Sequence, residues 1–320
     1  MKDIQKVSET IQDPIFLVGC PRSGTTLLQQ MLDAHPDVAI APETFFIRNF
    51  WLQQEKYGDL AEDHHYHQLV EDIVSLPEFQ EMALDPEVYR AAAWYSSRSY
   101  PLLLRLLLEQ FAQKRDVTIV GEKTPNHLLY ISILQQFFPS ARFVHIVRDP
   151  RAVVASWQTV PWTTGTLAGD AAVWRRYMSA AREYPAALKP SLYSLHYEAL
   201  IENPETTLKA LCQFLQIQFE PAMLAFHLRP THTVNAKREP WKINAKKQLC
   251  QTSLRRWQST LSNSMIAEIE AVVWPEMMHF GYSPITNRVV LATTKVSQIV
   301  QSKFQRAISR LKSPTLGLLR

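Results

Sequence analysis

Ile15-Phe16-Leu17-Val18-Gly19-Cys20-Pro21-Arg22-Ser23-Gly24-Thr25-Thr26-Leu27-Leu28 passes from an apolar run, through a glycine-punctuated turn, into helix formers. A short apolar run bounded by turn residues reads as a buried strand. Leu27, Leu28, Met31 and Leu32 then recur at helical spacing, and His35-Pro36 ends the helix. The spacing Gly19-x-x-x-x-Gly24-Thr25-Thr26 nearly matches the phosphate-binding pattern G-x-x-x-x-G-K-[ST]. Backbone N–H groups of such a loop, together with the positive end of the helix, hold an oxyanion. Thr25 stands where the pattern has lysine, so a triphosphate would lose its main cation. Arg22, inside the loop, offers charge from another direction.

Moving outward, the pattern repeats. Val117 to Val120 reads as a second strand ending at Gly121-Glu122-Lys123-Thr124-Pro125, with a helix from about Asn126 to Phe138. Arg142 to Val147 reads as a third strand, ending at Arg148-Asp149-Pro150, with a helix starting near Arg151. Leu192 to His196 reads as a fourth strand, and Pro204 opens a helix to about Leu215. Strands alternating with helices imply an α/β fold: a parallel sheet flanked by helices, a P-loop NTPase-like three-layer sandwich. Ligands bind such sheets beyond the carboxyl ends of the strands. The three polar clusters all fall at that edge, which argues that they form one site. Residues from about 45 to 115 read as a helical, aromatic-rich insertion, with Tyr66 to Leu76 and Tyr100 to Phe111 as the strongest helices.

The chain has 320 residues, 46% hydrophobic and 20% charged, which suits a globular protein and excludes disorder. Cys20, Cys212 and Cys250 form no C-x-x-C pair, so neither a zinc ribbon nor a disulfide framework is expected. Residues 1–15 hold no apolar signal-like core, and no run approaches a membrane span, so a cytoplasmic setting is expected. Ile285 to Arg320 carries seven basic residues and no acidic ones, so the net charge of +4 leaves the remainder at −3. The body therefore gives no electrostatic case for nucleic acid. The expected organisation is a domain over 1–285 and a basic amphipathic tail over 286–320. The tail would pack on its own domain, on an oligomer partner or on a membrane surface.

The segment from Phe16 to Leu28 resembles the 5′-phosphosulfate loop of sulfotransferases that use 3′-phosphoadenylyl sulfate (PAPS), and Met31 to Val38 continues it in the style of the bacterial and protein-tyrosine branch. Ile146-Val147-Arg148-Asp149-Pro150-Arg151-Ala152-Val153-Val154-Ala155-Ser156-Trp157 is similar to that family's 3′-phosphate motif. His196-Tyr197-Glu198-Ala199-Leu200 and Arg255-Arg256-Trp257 are weaker likenesses. The resemblance implies PAPS as donor, adenosine 3′,5′-bisphosphate (PAP) as product and no metal. It implies Arg22, Ser23, Gly24, Thr25 and Thr26 at the 5′ end, with Arg148, Ser156, Tyr197 and Arg256 on the rest of the nucleotide. Lys123 and Arg22 would stabilise the leaving phosphate, and Glu43 would take the acceptor's proton.

Chemistry supports those residue types. Sulfuryl transfer rests on positioning and charge stabilisation. A guanidinium suits a phosphate dianion, and an ammonium stabilises a leaving oxygen. A carboxylate can act as base if burial among residues such as Phe45, Phe46 and Trp51 raises its pKa. His35 and His127 are rival bases, and His127 could share the role. Plainer readings are an Arg148–Asp149 ion pair, a surface Lys123–Glu122 pair and a Glu43 that only caps a helix. The acceptor is expected to be a small molecule, a glycan or a carrier-bound group. Phe45 stands where the tyrosine-directed enzymes have a basic residue, which does not favour an acidic peptide. The alternatives are a P-loop kinase or other NTPase, with Asp149 as a Mg²⁺ ligand, and a non-catalytic nucleotide-binding module.

Overall fold

Five strands form one sheet: β1 (Ile15–Gly19), β2 (Val38–Ala41), β3 (Ile119–Lys123), β4 (Arg142–Val147) and β5 (Leu192–His196). Their order is β2-β3-β1-β4-β5, and every pairing is parallel. The longer helices are α1 (Thr25–Asp33), α2 (Asp63–Val74), α3 (Pro86–Trp94), α4 (Tyr100–Arg115), α5 (Ile131–Phe137), α6 (Pro150–Trp157), α7 (Leu167–Glu183), α8 (Pro204–Leu215), α9 (Thr252–Thr260) and α10 (Asn263–His279). The computed structural model describes residues 13–229, 239–287 and 289–294. Of the basic amphipathic tail expected over 286–320, residues 286, 287 and 289–294 are described, and the rest lies outside the described residues. No helix among the described residues is long and apolar enough to cross a membrane.

The chain divides into two units, one of residues 1–148 and 177–254, the other of residues 149–176 and 255–320. In the first, strand alternation sorts side chains onto the two faces of the sheet. Ile15, Leu17, Val144, Ile146 and Leu195 meet Leu28, Met31 and Leu32 of α1 and Leu208 and Leu211 of α8. On the other face Phe16 stacks on Phe143 at 5.5 Å, beside Phe138. Buried Leu104, Leu107, Leu108 and Phe111 of α4 close over β2 and β3. Helices on both faces leave only the strand ends for chemistry.

Two elements depart from expectation. β2 was not expected, because its four residues Val38–Ala41 leave too short a pattern between His35-Pro36 and Pro42. β3 begins later and runs further than expected, through Gly121 to Lys123. Gly121 reads as a turn residue, yet it is a packing residue: a Cβ there would lie 2.6 Å from the Ile15 carbonyl oxygen and 2.7 Å from Ile40 Cδ1. The consequence is that Glu122 and Lys123 occupy strand positions, with side chains directed to opposite faces. Residues Pro125–Tyr130 form a 3₁₀ turn ahead of α5, so the helix expected from Asn126 starts later.

In the second unit, Asp149 caps α6 by accepting from the Arg151 amide at 2.8 Å. Arg151 grips both carboxylate oxygens of Asp149, at 2.9 and 2.6 Å, and reaches Glu270 on α10 at 2.8 Å. Its guanidinium lies over Trp257.

Candidate functional site

The loop after β1 has the form an anion needs. Arg22 (φ 73°) and Gly24 (φ 105°) are both left-handed, one on each side of Ser23. The Ser23 amide closes the turn onto the Cys20 carbonyl at 3.1 Å. Gly24 caps α1 without a side-chain bond, so no cap side chain serves the first-turn amides of α1. They sit at the positive end of the helix. Ser23 is buried, and its Oγ has no hydrogen-bond partner among the described residues. A buried polar atom left in this way is costly. A ligand oxygen fits both deficits, so the residues present suit a phosphosulfate.

Arg148 follows β4 and closes one side of the loop. It donates to the Arg22 carbonyl oxygen at 3.2 Å and to the Ser253 carbonyl oxygen at 3.3 Å. Its guanidinium lies 4.2 Å from the centre of the Tyr197 ring. The Tyr197 hydroxyl and Ser253 Oγ share a hydrogen bond of 3.2 Å. Tyr197 also presses on the loop, since a Cβ at Gly24 would lie 2.4 Å from its Cδ2. The Asp149 carboxylate is held by Arg151. Burial and the nearby Arg148 charge pull the Arg22 guanidinium down to about 10.

Glu43 and Lys123 meet at the ends of β2 and β3. Lys123 Nζ donates to Glu43 Oε1 at 2.5 Å, and its side chain is only 2% exposed. The surface Lys123–Glu122 pair is thereby excluded. Glu122 faces away, is fully buried and has its own partners: the Thr44 amide, the Thr44 and Thr124 hydroxyls, and His127 Nδ1 at 2.9 Å. His127 is itself fully buried. His35 is committed: its Nδ1 accepts from the Asp37 amide and its Nε2 donates to the Gln218 carbonyl oxygen.

One expectation needs correction. Burial was expected to raise the Glu43 carboxyl toward neutrality. Burial does act in that direction, but the ammonium groups of Lys123 and Lys242 outweigh it and bring the carboxyl down to about 2. Phe46 is buried nearby in sequence and Arg48 stacks over Phe45, yet cations rather than rings set the charge of Glu43. Lys123 in turn is lowered to about 8, because its burial outweighs the attraction of Glu43.

Thus the structure gathers Arg22, Ser23, Gly24, Thr25, Arg148 and Tyr197 around the loop, with Thr26 on the first turn of α1. Trp241 and Lys242 connect that group to the Glu43–Lys123 pair. Arg22 donates to the Trp241 carbonyl oxygen at 3.1 Å, and the next residue, Lys242, donates to Glu43 Oε1 at 2.7 Å. Ser156, half-buried on α6, and Arg256, exposed on α9, belong to the second unit. Ser253, Thr44 and Lys242 were missed by sequence reasoning. The only hint was Glu239-Pro240-Trp241-Lys242, two opposite charges at i,i+3 in a segment otherwise without a motif.

The model of the Sulfotransferase family matches residues 14–221. A protein-tyrosine sulfotransferase of Drosophila melanogaster is 26% identical over 292 residues, covering 85% of this chain and 52% of its own length. The chain thus spans about half of that relative. The Stf3 omega-hydroxy-beta-dihydromenaquinone-9 sulfotransferase of Mycobacterium tuberculosis is 27% identical over 254 residues, covering 66% of this chain and 65% of its own. In fold, the sulfotransferase domain of the Synechococcus PCC 7002 olefin synthase superposes with a TM-score of 0.61 at 20% identity, over 85% of this chain and 96% of that one. Because the matched segment takes in β1 to β5 and both polar clusters at their carboxyl ends, sequence and architecture agree that this chain belongs to the sulfotransferase family.

Proposed function

We propose that the protein transfers a sulfuryl group from PAPS to a hydroxyl or amine acceptor by in-line displacement, releasing PAP. The observation that carries this reading is the buried Lys123–Glu43 contact beside a phosphate loop that lacks its lysine. When bound, the donor supplies an electrophilic sulfur attached to a phosphate leaving group. The amides of Gly24, Thr25 and Thr26, with the Ser23 hydroxyl, hold the 5′ end. Arg148 and Tyr197 give the nucleotide a cation and a stacking face. Arg22 and Lys123 place positive charge against the leaving oxygen. The Glu43 carboxylate accepts the acceptor's proton as the new sulfur–oxygen or sulfur–nitrogen bond forms.

The named relatives act on protein tyrosine and on a menaquinone derivative, and one structural neighbour is a domain of an olefin synthase. That range supports a small-molecule, glycan or carrier-bound acceptor. Three free cysteines accord with a reducing, cytoplasmic setting. A kinase reading has less support, since Thr25 replaces the loop lysine and Arg151 already holds Asp149 at both oxygens. The test is an acceptor screen with sulfur-labelled PAPS over phenols, sugars, lipids and carrier-bound substrates, run beside Glu43→Gln. Labelled product that depends on Glu43 supports the reading. Transfer of phosphate from labelled ATP, with none of sulfate, would overturn it.

A further inference from the structure

Lys242 reaches the site from outside every motif that marks it. It lies in the 3₁₀ turn Pro240–Lys246, and its side chain is 10% exposed. Its Nζ bonds Glu43 Oε1 at 2.7 Å and Glu239 Oε1 at 2.5 Å. Lys123 approaches the same Glu43 oxygen from β3. One carboxylate therefore serves two buried ammonium groups, and one of those is anchored from behind by a second carboxylate.

The two lysines have different prospects. Lys123 ends the strand beside β1, and the anion loop follows β1 directly. An anionic donor in that loop competes with Glu43 for Lys123. If Lys123 were the sole partner, Glu43 would be left buried without a counter-charge, and it would take up a proton. A protonated carboxyl accepts no proton from an acceptor. Lys242 has Glu239 behind it and the Arg22–Trp241 bond beside it, so its place does not depend on the donor. The charged groups facing Glu43 are Lys123 from β3 and Lys242 from the turn, and Glu239 faces Lys242 and lies near Arg22.

We infer that Lys242 is a positioning residue that keeps Glu43 ionised and in place while Lys123 turns to the donor. It acts through Glu43 and touches none of the reacting atoms. The inference rests on the reading of Glu43 as base and Lys123 as donor contact.

The test uses the full chain with saturating PAP, and the variants Lys242→Met and Lys242→Arg. The ionisation of Glu43 is followed by carboxyl ¹³C NMR from about pH 8 down to about pH 4, its signal assigned by loss in Glu43→Gln. In the natural sequence Glu43 stays ionised across that range. In Lys242→Met it protonates within the range, an upward shift of about two pH units or more from its value of about 2, and Lys242→Arg reverses the shift. The acid limb of the kcat profile moves upward with it. Should the Met variant not fold, Lys242→Gln gives the same reading. A Glu43 titration that Lys242→Met and Lys242→Gln leave unmoved overturns the role of Lys242, whatever turnover shows. Full turnover in Glu43→Gln overturns the base reading instead, and is seen separately.

Discussion

Thr44 bonds Glu122 through both its amide and its hydroxyl, at 3.1 and 2.6 Å, on the same carboxylate oxygen. Thr44 follows Glu43 and Glu122 precedes Lys123. One buried carboxylate thus fixes the two chain segments that bring Glu43 and Lys123 together.

Removing that carboxylate should be expensive. Glu122→Ala strips the acceptor from two hydroxyls, an amide and His127 in a fully buried place. The expected loss is about 3–5 kcal/mol, since several buried donors lose their acceptor at about 1–3 kcal/mol each. Thr44→Val removes two bonds, the one the hydroxyl donates to Glu122 and the one it accepts from the Phe46 amide, and keeps the shape, for about 1–3 kcal/mol at about 0.5–1.5 kcal/mol each. Denaturant unfolding of both variants gives the comparison. Equal losses would show that Glu122 is not the hub.

Turnover should fall on the basic side as Lys123 loses its proton. The lysine is useful only when charged, and burial has lowered it from 10.5 to about 8. The kcat/KM profile of the free enzyme should therefore bend down near pH 8, and Lys123→Arg should move that limb upward. Stability runs the other way. Between pH 8 and 10.5 the folded chain has released a proton that the unfolded chain keeps, so this group adds stability as pH rises. A flat profile through pH 10 would remove Lys123 from the chemistry.

Glu43 predicts an acid-side effect of the same sign, because its pKa too is lowered on folding. Its carboxyl is depressed from 4.5 to about 2, so its ionised pairing stabilises the fold above pH 4.5 and is lost as pH falls toward 2. Glu43→Gln should flatten that part of the stability profile, and turnover should drop about 10²–10⁴-fold, the usual weight of a general base. Nucleotide affinity should be spared. Melting curves at stepped pH and steady-state kinetics check the two halves.

PAP should raise the melting temperature without Mg²⁺, and ATP should do so far less. Arg148→Ala should weaken PAP binding by about 1.5–3 kcal/mol, the range for a hydrogen bond to a charged group. Calorimetric titration measures both. Equal stabilisation by PAP and ATP would argue for a triphosphate site.

Gly24→Ala should damage the loop in two ways. The residue sits at φ 105°, and the new methyl would overlap Tyr197. Nucleotide affinity and melting temperature should both fall. Adding Tyr197→Ala should cost less than the two single losses combined, because the overlap is then gone.

Much of this protein was legible in the chain because its signals are local. Gly19 and Gly24 stand five apart between an apolar run and a helix, so strand, turn and anion-binding amides follow from neighbours in sequence. The same holds for Arg148 after β4 and Pro204 at the start of α8. The parallel sheet followed from the alternation of those elements.

The charge state of the site was decided only by tertiary structure. Gly121 reads as a turn until the close approach of Ile15 and Ile40 explains it as a strand residue, and that placement sends Glu122 inward and Lys123 to Glu43. Lys242 lies 199 positions from Glu43, and no spacing rule connects them. Composition supplied the carboxylate and the ammonium groups, and periodicity supplied the sheet edge. Which oxygen each ammonium met, and hence the sign of the Glu43 shift, depended on the folded distances, because Coulomb attraction and desolvation act through space and not along the chain.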